Sequence, residues 1–331
     1  MGGLTDGLLI LVMTGHLLVV HVVTAAPFLA LALEIKATRS SDPLAEEVGR
    51  RLARHALFGL ALGVVLGFGL LSLVVWINPQ YWDSLRQVPG RGMWAGVSER
   101  IWSTLVELVI FAVTMGAYLA LWSRWPKQGG WKKWTHRGLA VFAGTNLWYH
   151  LPPLFAVVAV IHERQTWNLE QTKYIRILSD PEVLARVLHS WLAALVVGGV
   201  WLILLAWQMD RRGRSADAAR VARWGAFTAL VPALAQVLAG SLLLFSLPPA
   251  TQHQLMGGDW LLSGLLGAAV LVSLALMHHL ASIALGDTEA GPLLRSTLLL
   301  ILIILLMVSV RHLSRSSSWT ETPTAALHST S

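Results

Sequence analysis

Residues 7–33 read GLLILVMTGHLLVVHVVTAAPFLALAL, without an Asp, Glu, Lys or Arg. At 1.5 Å per residue in a helix, this run is long enough to cross a hydrocarbon layer roughly 30 Å thick. Seven comparable runs follow, at 56–77, 101–122, 139–161, 187–209, 224–247, 260–285 and 293–310, and only Glu107 and Arg295 place a charge inside them. The fold class that follows is all-α, a polytopic membrane helix bundle with about eight transmembrane helices. The whole chain agrees: of 331 residues 55% are hydrophobic and 13% charged, with a mean hydropathy of +0.61. A soluble domain carries about a quarter of its residues as charges, so a water-soluble globule and a disordered chain are both excluded.

Basic residues set the orientation. If the spans alternate, 16 of the 25 Lys and Arg fall on the loops after the first, third, fifth and seventh spans, and 9 on the other side. The richer side is cytoplasmic by the positive-inside rule, which puts both termini on the outer side. The net charge of +7 is thus a topology signal and gives no reason to invoke nucleic acid. The first span lacks a basic run before it and is expected to be retained. The 16 Trp are expected at the lipid headgroups. Residues 162–186 are expected to lie on the outer face with a short surface helix, and 313–331 to form a disordered polar tail.

There is no cysteine. Disulfides, thiolate nucleophiles, Cys-ligated zinc, iron-sulfur clusters and covalently attached haem are therefore excluded, and metal chemistry falls to the 12 His. An ionisable group within a span is costly and so a functional candidate. His16 and His21 share the first span; five residues apart, they point about 140° away from each other and cannot bind one metal together. Glu99 stands at the outer mouth of the third span and Glu107 two turns deeper. In the fourth, GTNLWYHLPPLF sets Asn146 and His150 just before Pro152 and Pro153, which cannot bond the carbonyls of Trp148 and Tyr149 and so leave acceptors facing the bundle. His189 lies one turn inside the fifth span. Gly59, Gly63 and Gly67 form a stripe that admits a neighbouring helix or a flat macrocycle. His55, His136, His278 and His279 share the cytoplasmic depth, while His162, His253, His312 and His328 read as interface, loop or tail residues.

In order and spacing, residues 7–247 resemble subunit I of cytochrome bd-type quinol oxidases. The resemblance rests on His16 followed by a Leu-rich run ending at Glu34, on LFGLALGVVLG, on Glu99 and Glu107 in SERIWSTLVELVIFA, on Gly144 to Leu147, and on Pro181, Arg186 and His189. It implies haem b ligated by His16 and His189, and a proton path through Glu99 and Glu107. Asn146 then lies in the cofactor-binding region, and His21 and His150 are replacement ligands. It also implies a multi-pass subunit of the inner (cytoplasmic) membrane, partnered by other subunits of a respiratory complex and by quinol or a cytochrome c.

The chain also departs from the family. Leu265 stands near the place of a Met ligand to the low-spin haem, LPPATQHQLMGGD replaces a large quinol-binding loop, and the C-terminal Gly-Arg-Gln-Pro-Trp region is missing. Residues 1–247 are accordingly expected to form a six-helix core to which 248–312 add two helices, carrying electrons rather than reducing oxygen alone. From a different class, a haem-free scaffold or proton-coupled permease would use the same inward His and Glu as a hydrogen-bonded path.

Overall fold

The computed structural model describes residues 2–90, 92–93, 97–124, 126, 130–164 and 172–320. Eight of its helices are long and apolar enough to cross a membrane. These are α1 (Gly2–Ser40), α2 (Pro43–Ile77), α4 (Glu99–Leu121), α5 (Gly130–Arg164), α7 (Pro181–Asp210), α8 (Ser215–Ser246), α10 (Trp260–Leu285) and α11 (Ala290–Thr320). Short helices α3 (Gln80–Arg86), α6 (Tyr174–Leu178) and α9 (Pro249–His253) lie between spans. Two two-residue strands, β1 (Gly92–Met93) and β2 (Val97–Ser98), make a small antiparallel hairpin before α4. The chain is a multi-pass membrane protein.

Helix entries follow local chemistry. Asp42 caps α2 by accepting from the N–H groups of Leu44 and Ala45, with Pro43 at the first helical position; Asp180 and Pro181 repeat the device at α7, and Asp259 caps α10. On the basic side Arg214 clamps α2 to the start of α8, bonding Glu47 at 2.8 Å and Asp217 at 2.9 Å. Those two bonds push its guanidinium pKa up.

Small residues let the helices meet at the backbone. A Cβ at Gly199 of α7 would lie 2.6 Å from the carbonyl oxygen of Gly225 in α8, and one at Gly198 would lie 2.7 Å from Ala25 of α1. The glycine stripe of α2 does the same for α1: Cβ atoms at Gly59 and Gly67 would lie 2.7 Å from Val23 and 3.0 Å from His16. Of the two occupants the sequence allowed, the stripe therefore holds side chains of α1. The main apolar core joins Ala25, Leu52, Phe111, Leu147, Ile203 and Ala226 with Leu280 and Leu300, so the last two spans pack into the same core as the first six.

Three expectations change. The final helix runs past Val310 to Thr320, because Leu313 packs against the cluster of Leu255, Leu262 and Val310, and Arg315 bonds Glu163. His312 is accordingly a helix residue, paired with Asp6 at 3.0 Å; His328 falls outside the described residues. The indoles divide: Trp76, Trp131, Trp134 and Trp260 are exposed near helix ends, whereas Trp122 is 2% exposed and Trp148, Trp191 and Trp201 hydrogen-bond other helices. An indole N–H suits a dry interior wherever a carbonyl or imidazole can accept it.

Gly199→Leu should lower the thermal midpoint of the detergent-solubilised protein, by roughly 1–3 kcal/mol of overpacking strain. Gly267→Ala, where a Cβ meets nothing within 4 Å, should leave it unchanged or raised. Equal midpoints for the two variants would contradict the close contact.

Candidate functional site

In the hydrocarbon region a polar side chain must find its partner within the protein. Most described histidines have done so. His136 is fully buried, with Nδ1 2.9 Å from Glu34 Oε2 and Nε2 2.8 Å from the Tyr118 carbonyl oxygen. Both nitrogens thus stand within hydrogen-bond distance of an oxygen. Tyr118 donates to the same carboxylate at 3.0 Å, Arg137 donates to its other oxygen at 3.2 Å, and Tyr118 stacks on the imidazole at 4.2 Å. His55 accepts from the Trp201 indole at 3.0 Å, and His162 bonds Ser84 and Asn78. His278 lies edge-on to His279. These four histidines of the basic side, His55, His136, His278 and His279, thus do not share one site: His136 pairs with Glu34, His55 with Trp201, and His278 with His279. No group of three or more His, Asp or Glu suited to a metal ion occurs among the described residues.

Glu107, Asn146 and His150 come together. Asn146 donates to the Glu107 carbonyl at 2.9 Å, tying α5 to α4, and His150 Nε2 stands 3.5 Å from Glu107 Oε1. Neither side chain of that pair is fully covered, at 32% exposed for His150 and 20% for Glu107. Glu107 is therefore a neighbour of His150. Glu99 is exposed at the first turn of α4, and beside it Arg100 lies over the Tyr174 ring at 4.2 Å. Burial pushes the Tyr174 phenol pKa up.

α5 runs through both prolines, and one carbonyl they release is taken: the Trp191 indole donates to Trp148 at 3.0 Å. The Trp148 indole in turn donates to Thr24 of α1 at 3.1 Å, so α1, α5 and α7 are tied together two residues from His189.

Three imidazoles within the spans remain. Nδ1 of His16 and Nδ1 of His189 are buried with no hydrogen-bond partner. His21 Nδ1 lies 2.6 Å from the Leu17 carbonyl and so carries the proton, which leaves Nε2 as the lone-pair donor. Haem b takes such imidazole nitrogens in apolar surroundings, so the donor chemistry present fits this group. The placement restricts how. His16 and His189 each stand nine residues before the contact of Ala25 with Gly198, about 13 Å along parallel helices, and half a turn away from it. They share a depth but face away from one another, His16 toward Gly67. His21 lies nearer the α7 side, within electrostatic reach of His189.

No protein-family model and no curated protein matches the chain. Solved structures do match: a chain of the bd oxidase from Geobacillus thermodenitrificans superposes with a TM-score of 0.75 at 16% identity, over 95% of this chain and 88% of that one. The fold is that of a bd oxidase chain. The likeness runs past residue 247 into the last two spans, and beside this neighbour the chain is not markedly short. The identity is too low to carry residue roles across.

Sequence reasoning missed the cluster around Glu34. Its signals were a Glu directly after the first apolar run and the adjacent pair His136 and Arg137. Glu34→Gln strands a buried guanidinium and should cost about 3–5 kcal/mol of stability. Tyr118→Phe removes one hydrogen bond to a charged group and should cost about 1–3 kcal/mol. Unfolding of both variants in detergent checks the order, and a harmless Glu34→Gln would contradict it.

Proposed function

We propose that the chain is a haem b-binding membrane subunit of a bd-oxidase-like respiratory complex, placed in the cytoplasmic membrane and carrying electrons within it. One observation supports this reading: in a bd oxidase fold, Nδ1 of His16 and Nδ1 of His189 are buried with no hydrogen-bond partner. These two residues are the first ligand candidates, with His21 in the ligand tautomer beside them. Bound haem would supply one-electron transfer at its iron.

The rest of the work falls to the chain's own side chains. Trp148 and Trp191 fix α1 and α7 around the histidines and keep the region apolar. Glu107 and His150 share a site, 3.5 Å apart, close enough to pass a proton between them. Asn146 sets the height of Glu107 by holding its carbonyl. Glu99, at the outer mouth, passes protons between that site and the outer surface. Partners in this reading are other membrane subunits, with a quinol or a cytochrome c as redox partner.

A second reading keeps the fold without haem, as a scaffold or proton-coupled permease. Its support is the packing of His16 against Gly67, where α1 side chains fill the stripe that a macrocycle would otherwise use.

A reduced-minus-oxidised spectrum of the chain purified from haem-replete cells separates the two. The first reading predicts b-type bands that weaken or disappear in His189→Ala and His16→Ala. A bandless protein, folded by its thermal transition, sinks it and leaves the second. Glu107→Gln should keep the bands and reduce proton-coupled turnover of the complex, and full turnover in that variant would remove Glu107 from the path.

A further inference from the structure

The outer end of the bundle holds a charge that the proposed function does not use. α11 runs outward, and helix side chains lean toward the helix N-terminus, so Arg311 and Arg315 lean back into the bundle. There the carboxylates are already engaged. Glu163 bonds Arg186 at 2.7 Å and also Arg315; Glu182 bonds Arg186 at 2.5 Å and Arg164 at 2.6 Å; Asp180 bonds Arg164 at 2.9 Å. Arg311 is the fourth guanidinium beside three carboxylates. Among the described residues it has no ion pair, and its Nε is buried without a hydrogen-bond partner. The charged and titratable groups within its electrostatic reach are Arg315, Arg186, Glu163 and, from α3, Tyr81.

Arg311 is half-buried, and a guanidinium with a buried, unpartnered Nε next to two others is costly unless an anion completes the set. We propose that Arg311 forms, with Arg186 and Arg315, a site for an oxyanion carried on an apolar body in the outer half of the membrane. A planar guanidinium fork suits a carboxylate or a phosphate. The apolar body is specified by the neighbours of Arg311 along α11, Val310 and Leu313, which pack with Leu255 and Leu262. Two sources supply that chemistry, a haem propionate and a phospholipid phosphate. Arg186 stands one turn outward of His189 on α7, so the propionate arm rests on the haem reading, whereas the phosphate arm does not.

The test uses the full chain in mild detergent, as wild type, Arg311→Met and Arg311→Lys. Native mass spectrometry identifies retained haem or phospholipid, pyridine haemochrome and phosphorus assays quantify them, and thermal unfolding gives the midpoints. The site predicts a haem or phospholipid adduct in the wild type that is lost in Arg311→Met and largely kept in Arg311→Lys, with a midpoint several degrees lower in the Met variant. Unchanged haem and lipid in Arg311→Met overturns it. So does a raised midpoint in that variant, which is what removing an unpaired buried charge would produce. A haem-free wild type whose phospholipid depends on Arg311 keeps the site and defeats the haem reading alone.

Discussion

Inside a hydrocarbon layer no water is at hand, so each polar side chain must be answered by another part of the protein. That constraint organises this bundle. Glu34 answers His136, Arg137 and Tyr118 at once, in a pocket where each of the four is at most 8% exposed. The Trp191 indole takes a carbonyl that the paired prolines of α5 release. Against that background the unanswered buried atoms stand out: Nδ1 of His16 and of His189, Nε of Arg311, and also Nε1 of Trp102 and Oε1 of Gln236.

Packing places those groups. The glycines of α2 and α7 bring α1 close to both helices, and α7 meets α8 at Gly199 and Gly225. α1 therefore sits between α2 and α7, with His16 turned toward α2 and His21 toward α7. The same contacts oppose a pair of facing imidazoles between α1 and α7, since His16 and His189 share a depth while pointing apart. Two separate groups, or one group approached from one side, suit this arrangement better than a bis-imidazole sandwich of those two residues.

Much of the architecture was legible in the sequence because its cause is local. Eight long apolar runs, two of them holding a single charge, give eight spans, and the prolines after His150 announce a carbonyl in need of a donor. What escaped depends on which helices meet. Nothing local tells that Glu34, His136 and Tyr118 converge, that Trp148 and Trp191 stack at 5.5 Å in the interior, or that His150 lies beside Glu107. His312 reads as an interface, loop or tail residue because polarity along the chain hides the fact that Asp6 lies across from it.

The central claim is that His16 of α1 and His189 of α7, each with a buried Nδ1 that has no hydrogen-bond partner, hold haem iron. Electron–nuclear spectroscopy of the oxidised chain, produced with nitrogen-15 in histidine alone, tests it most directly. The account predicts a ferric haem signal with hyperfine coupling to histidine nitrogen, removed by substitution of His189 or His16. A haem signal without such coupling, or with coupling indifferent to both substitutions, would contradict it.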